Sequence, residues 1–199
     1  LSEDECLAAL AEAEPFAGRL HGFGLDSSER GHPPSKFARL FARCRALGKP
    51  VVAHAGEEGP PAYIAEALDI LGARRIDHGV RAPEDPALLA RLAREGVPLT
   101  VCPLSNTRLC VFGAMAEHSL PQLIAAGARV TINSDDPAYF GGYLNDNIRA
   151  VQAAFGFDAA IWYRLARNSF EASFATDAEK AGWIARLDGF FAAAGVAPG

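Results

Sequence analysis

The chain has 199 residues, 50% of them hydrophobic and 22% charged, with a net charge of -5. That balance belongs to an ordinary globular chain; it excludes disorder, collagen and coiled coil, and no apolar run approaches the roughly 20 residues of a membrane helix. The acidic charge argues against a nucleic-acid backbone or an anionic membrane as partner and leaves small neutral substrates open. Cys6, Cys44, Cys102 and Cys110 include no C-x-x-C pair and are too sparse for a disulfide framework, so a reducing cytoplasm is expected. The chain starts at Leu1 with no signal-peptide pattern, and reads as the downstream part of a longer protein.

Ser2 with Glu5 forms a capping box for a first helix running to about Glu14. From residue 20 one unit recurs: a short apolar strand ending in polar residues, a helix, and a glycine stop. The strand candidates are Leu20 to Leu25, Pro50 to Ala53, Arg75 to Asp77, Pro98 to Val101 and Arg129 to Ile132. Between them, i, i+3, i+4 spacing predicts helices over Ser35 to Leu47, Tyr63 to Leu71, Asp85 to Glu95 and Leu120 to Ala126, stopped at Gly48, Gly72, Gly96 and Gly127. Such alternation argues for parallel strands covered by helices. After Asn145 the strand signal ends. Three helices are expected there, about Ile148 to Phe155, Asp158 to Phe174 and Asp177 to Ala194, with a frayed end from Val196 to Gly199. One domain is the economical count.

Polar residues gather where these strands end: Gly24 and Asp26, His54 to Glu57, His78, Ser105 with Asn106, and Asp135 with Asp136. In parallel α/β proteins that edge is where catalytic groups collect. Each signal alone has a plainer explanation. His54 could be a satisfied structural group, His78-Gly79 a turn, and Ser134-Asp135-Asp136-Pro137 an Asx turn or helix cap. Adjacent carboxylates after a buried strand nonetheless repel unless a cation or a substrate engages them. The stretch from Cys102 to Asn106 reads as a loop shaped by Ser and Asn, with the Cys102 thiol a weak candidate nucleophile. Cys6, Cys44, Cys110, His21, His32 and His118 read as structural or surface residues.

Together, HAGE at 54–57, DHG at 77–79, CPLSN at 102–106 and SDDP at 134–137 closely resemble the adenosine/adenine deaminase family of zinc hydrolases. The resemblance covers about residues 20–147. SDDPAYFGGYLNDN and GLDSSERGHPPSKF look more like its microbial adenine deaminase branch. The unrelated cytidine-type deaminases use H-x-E and P-C-x-x-C ligands, which do not occur here.

The resemblance implies an α/β fold, a (β/α)8 barrel, and hydrolysis of adenine to hypoxanthine and ammonia. Adenosine or N6-substituted adenine is the alternative substrate on the same machinery. It implies that His54 and Asp135 ligate a catalytic Zn2+, which lowers the pKa of its bound water toward ~7. Glu57 would carry a proton to ring N1, His78 would orient the water, Asp136 would meet the N7 edge, and Gly24 would offer its N–H to N3. One departure is large: the family draws two further zinc ligands from an H-x-H motif on its first strand, and this chain has none. Since such barrels usually need about 250 residues, the chain is expected to hold strands 4 to 8 and the helical tail (144–199), an incomplete barrel inactive by itself. Both sheet edges are expected to be bare, with Val51, Ile76, Val101 and Ile132 or their neighbours facing an open, apolar trough.

Overall fold

The computed structural model describes residues 1–196. Ser2 caps helix α1 (Glu3–Ala13) through the expected box with Glu5. A 3₁₀ turn then leads to strand β1 (Phe23–Leu25), shorter than expected. The unit that follows repeats as the spacing requires: α2 (Ala38–Ala46), β2 (Val51–Ala55), α3 (Pro61–Glu66), β3 (Arg75–His78), α4 (Pro86–Glu95) and β4 (Pro98–Val101). Helix α3 continues as a π turn over Ala67–Leu71, and the helix expected from Ser35 begins as a 3₁₀ turn at Pro34–Phe37. Asp85 caps α4, accepting the N–H groups of Ala87 and Leu88. At its other end Gly96 takes φ 63°, the left-handed conformation that glycine adopts without a Cβ clash.

Past β4 the chain forms α5 (Pro103–Arg108), α6 (Leu120–Ala125), β5 (Arg129–Ile132), α7 (Pro137–Phe140), α8 (Leu144–Phe155), α9 (Ala159–Glu171) and α10 (Asp177–Ala193). Of the two short helices, α5 corrects the reading of 102–106 as a loop, whereas α7 agrees with the helix cap offered for 134–137. Residues 103–106 open α5, and Asp136 is the N-cap residue of α7; both helices start at a proline, which suits the first helical position. The last three long helices are present as expected, although α8 starts at Leu144 rather than Ile148 and α9 stops at Glu171 rather than Phe174. Val196 is held by its N–H to the Phe191 carbonyl, and the rest of the end expected to fray lies outside the described residues.

The five strands are parallel and in sequential order. Register places His54 beside Asp77, Asp77 beside Thr100, and Thr100 beside Thr131, so these four share a face. Ala53, Ile76, Leu99 and Val130 share the other. The latter are buried with Phe41, Ile64, Leu71, Leu92 and Leu123 in the core between sheet and helices. Truncating one of them, such as Ile76→Ala, should cost about 2–5 kcal/mol.

Of the two sets expected to face the open trough, it is the neighbours of Val51, Ile76, Val101 and Ile132 that do so, and that face is largely polar rather than apolar. Val51, Ile76, Val101 and Ile132 belong to the core, and the opposite face carries Val52, His54, Arg75, Asp77 and Thr100. The strands alternate accordingly: Ile76, Leu99, Val101, Val130 and Ile132 stand on the core parity, and Arg75, Asp77, Thr100 and Thr131 on the other. As expected, β1 and β5 are edge strands with no strand beyond them among the described residues, but the β5 edge is partly covered. Asn133 N–H and the Thr131 hydroxyl reach the Val101 and Leu99 carbonyls of β4, so the alternate groups of β5 point to the unpaired side. One of them, the Val130 carbonyl, accepts Asn168 Nδ2 of α9 at 2.8 Å. Among the described residues no helix is long and apolar enough to cross a membrane.

Candidate active site

Each polar cluster sits where its strand leaves the sheet. His54 is the penultimate residue of β2, and the chain then turns through Gly56 to Glu57. Gly56 has φ 72°, and a Cβ there would stand 2.5 Å from Ile64 Cδ1, so only glycine allows this turn against α3. His78 ends β3 with φ 67°, and Asp135, three residues beyond β5, has φ 56°. Left-handed backbone at non-glycine residues costs on the order of 1–3 kcal/mol and persists where the surroundings over-determine it. Here it falls on two residues of one cluster.

His54 and His78 meet edge to face with ring centroids 4.6 Å apart. His78 Nδ1 is 3.2 Å from Glu57 Oε1, and its Nε2 is 4.0 Å from Asp135 Oδ2. Two sets of donors converge, each within 4.8 Å: His54, Glu57 and His78, and His78, Cys102 and Asp135. His78 belongs to both. His54 and Asp135 therefore flank His78, and His54 Nε2 also lies 3.0 Å from Asp26 Oδ1. Imidazole nitrogen and carboxylate oxygen are a donor set that suits zinc.

Burial sets the charges. Glu57, 6% exposed, has its pKa pushed up to about 8 by desolvation, with the Asn106 hydrogen bond pulling it down and the charges of Glu29 and Asp135 raising it. His78 is pushed down to about 3 by burial, reinforced by His54, and is neutral at physiological pH. Burial also raises the Cys102 thiol, whose Sγ rests 3.6 Å from the Thr100 carbonyl. A protonated, enclosed thiol removes the case for Cys102 as nucleophile.

Gly24 stands apart from this group. It pairs with Val52, two residues before His54, and because Phe23 donates its N–H to the Pro50 carbonyl, the Gly24 N–H points away from β2 toward the sheet edge. Asp136 is exposed at the rim, next to Asp135.

Three further participants were given no role from the sequence, although Asn106 was among the polar residues placed at the strand ends. Glu29, 4% exposed, accepts the backbone N–H groups of Gly56, Glu57 and Gly59. Asn106, fully buried, donates from Nδ2 to Glu57 Oε1 at 2.5 Å and lies 3.3 Å from His78 Nδ1. His118, expected to be structural or superficial, is buried with Nε2 3.1 Å from Asn106 Oδ1. Glu29 and Asn106 lie inside the quoted GLDSSERG and CPLSN stretches; His118 carried no signal.

A sequential parallel sheet with nitrogen and oxygen donors gathered at its carboxyl rim is the architecture of barrel-type amidohydrolases, and this chain has that fold. The family model described as adenosine deaminase matches residues 2–189. The chain belongs to the adenosine deaminase family. It is 59% identical to an adenine deaminase of Geotalea uraniireducens, over 96% of this chain and 54% of that protein. The crystal structure of an Arthrobacter aurescens adenine deaminase superposes with a TM-score of 0.94 at 47% identity, covering 96% of this chain and 59% of that one. A Burkholderia ambifaria amidohydrolase with bound Zn superposes at 0.89 with 28% identity, over 96% and 54% of the two chains. The chain thus spans about half the length of the curated relatives it matches.

Proposed function

We propose that this chain carries the proton-transfer and base-binding residues of a zinc-dependent enzyme that hydrolyses adenine to hypoxanthine and ammonia. The observation that carries the reading is the burial of Glu57 against Asn106 and His78 at the strand rim, which favours its protonated form. A carboxyl held near 8 keeps its proton at neutral pH, and attack of water at C6 of a purine drives electron density onto N1, which needs one. Glu57 delivers that proton. His78, neutral and wedged between Glu57 and Asp135, orients the attacking water by hydrogen bonding. Asp136, adjacent yet exposed at the rim, meets the N7 edge of the base, one proton being shared between carboxyl and ring nitrogen.

His54 and Asp135 are the residues of this chain that would hold the metal, which when bound supplies Lewis-acid activation of water. Zinc is supported by the donor chemistry and by the zinc in one structural neighbour. By itself the chain offers only these two of the family's four protein ligands. The free state of all four cysteines supports a cytoplasmic setting.

Adenine as substrate rests on identity to adenine deaminases across nearly the whole chain. The test is ammonia release from adenine by the metal-loaded protein that carries this chain. Turnover is expected, and its absence, or turnover of adenosine or N6-alkyl adenines in preference, would replace the reading.

A further inference from the structure

His118 has two ring nitrogens and two buried partners, and one partner leaves no choice. The Leu120 backbone N–H can only donate, and it points at His118 Nδ1 at 2.9 Å. Nδ1 is therefore the acceptor of a neutral ring, and the ring proton sits on Nε2. Nε2 lies 3.1 Å from Asn106 Oδ1, so it donates there. That contact settles which way round the Asn106 amide lies. Its oxygen faces His118 and its NH2 faces Glu57 Oε1 and His78 Nδ1, at 2.5 and 3.3 Å. The amide has two hydrogens and two acceptors. An accepting His78 Nδ1 in turn leaves its proton on Nε2, the atom directed at Asp135. Every link is buried: His118 is 3% exposed and Asn106 0%. Phe112 packs against the His118 ring with centroids 4.5 Å apart and planes tilted by 36°, restricting its rotation.

We propose that His118 is a positioning residue, whose Nε2–H holds the Asn106 amide so that its NH2 occupies Glu57 Oε1 and leaves Oε2 as the oxygen bearing the proton for the purine. The relay rests on the role of Glu57 in the reading above. It begins at a backbone N–H at the start of α6 and ends at the reacting carboxyl, with a single donor direction throughout. Burial supports it, since the ring is pushed down to about 4 and stays neutral across the working range. A charged ring would donate from both nitrogens and clash with the Leu120 N–H.

Two amide substitutions separate positioning from packing. In His118→Gln the side-chain NH2 takes the place of Nε2 and can still donate to Asn106, whereas in His118→Asn the shorter amide can accept from Leu120 but cannot reach Asn106. In the metal-loaded protein carrying this chain, His118→Asn is expected to lower kcat at least ~10-fold, with KM, metal content and Tm little changed. His118→Gln should recover most of that loss. A purely structural role would move Tm and metal content together with activity. Equal kcat in wild type and His118→Asn overturns the proposal. A second measurement does not depend on catalysis or on the variants folding: ring-nitrogen NMR shifts of His118 in the wild-type protein should report the Nε2–H tautomer, and the Nδ1–H tautomer would overturn the relay. If adenine is not deaminated, the functional reading falls while the tautomer still decides the relay.

Discussion

Glu29 grips the backbone that presents Glu57: its Oε1 accepts the Glu57 N–H at 3.0 Å, while its Oε2 accepts those of Gly56 and Gly59 at 2.9 Å each. A buried carboxylate thus does for residues 56–59 what a bound anion does in a backbone nest. Its charge also reaches the neighbouring carboxyl and favours protonated Glu57.

Glu29→Gln keeps the shape but sets an NH2 against backbone donors, so stability should fall by about 2 kcal/mol, read by chemical denaturation. Removing the charge lowers the pKa of Glu57, so the alkaline limb of the kcat/KM profile should move to lower pH. An unchanged limb would show that Glu29 acts on the loop alone.

Glu57→Gln removes the transferable proton with little change of volume. The expected loss in kcat is ~10²- to 10⁴-fold, with metal retained in elemental analysis. The same residue gives a stability signature in the metal-free protein. Its folded pKa, about 8, lies above the unfolded value near 4.5, so its contribution is complete at acid pH and is lost as pH rises from 4.5 through 8. Wild-type stability should fall over that window, and the Glu57→Gln difference should shrink or reverse at its upper end. Denaturation midpoints at pH 5, 7 and 9 test the sign.

The roles proposed for the neighbours Asp135 and Asp136 differ. Asp135→Asn should lower both metal content and kcat, because a neutral amide is a poor ligand for a divalent ion. Asp136→Asn should keep the metal and raise KM. Metal analysis after dialysis against a mild chelator, paired with steady-state kinetics, separates the two, and equal metal loss would merge their roles.

Adenine should be turned over with kcat/KM at least roughly tenfold above adenosine, about 1.4 kcal/mol of transition-state discrimination. A panel of adenine, adenosine and N6-alkyl adenines, followed by ammonia release, measures the ratio. A ratio below one would shift the assignment to the adenosine branch.

Helix and strand positions were legible in the residues because their signals are local: the apolar spacing of Leu88 and Leu92 with Gly96 behind them needs no knowledge of the fold. His54, Glu57, His78, Asp135 and Asp136 were legible too, since parallel strands deliver whatever follows their last apolar residue to one rim. The alternation within the strands was legible as well, with Ile76, Leu99, Val101, Val130 and Ile132 on one parity and Arg75, Asp77, Thr100 and Thr131 on the other; which of these two faces the helices cover was decided by tertiary packing. The same holds for Asn168 on the β5 edge, 38 residues from the carbonyl it holds. Asn106 reaches Glu57 across 49 residues, and Glu29 reaches the loop across 27 to 30. Such hydrogen bonds impose no spacing on the chain; their partners are chosen by the approach of strand ends in space, after the apolar pattern has built the sheet that brings them together.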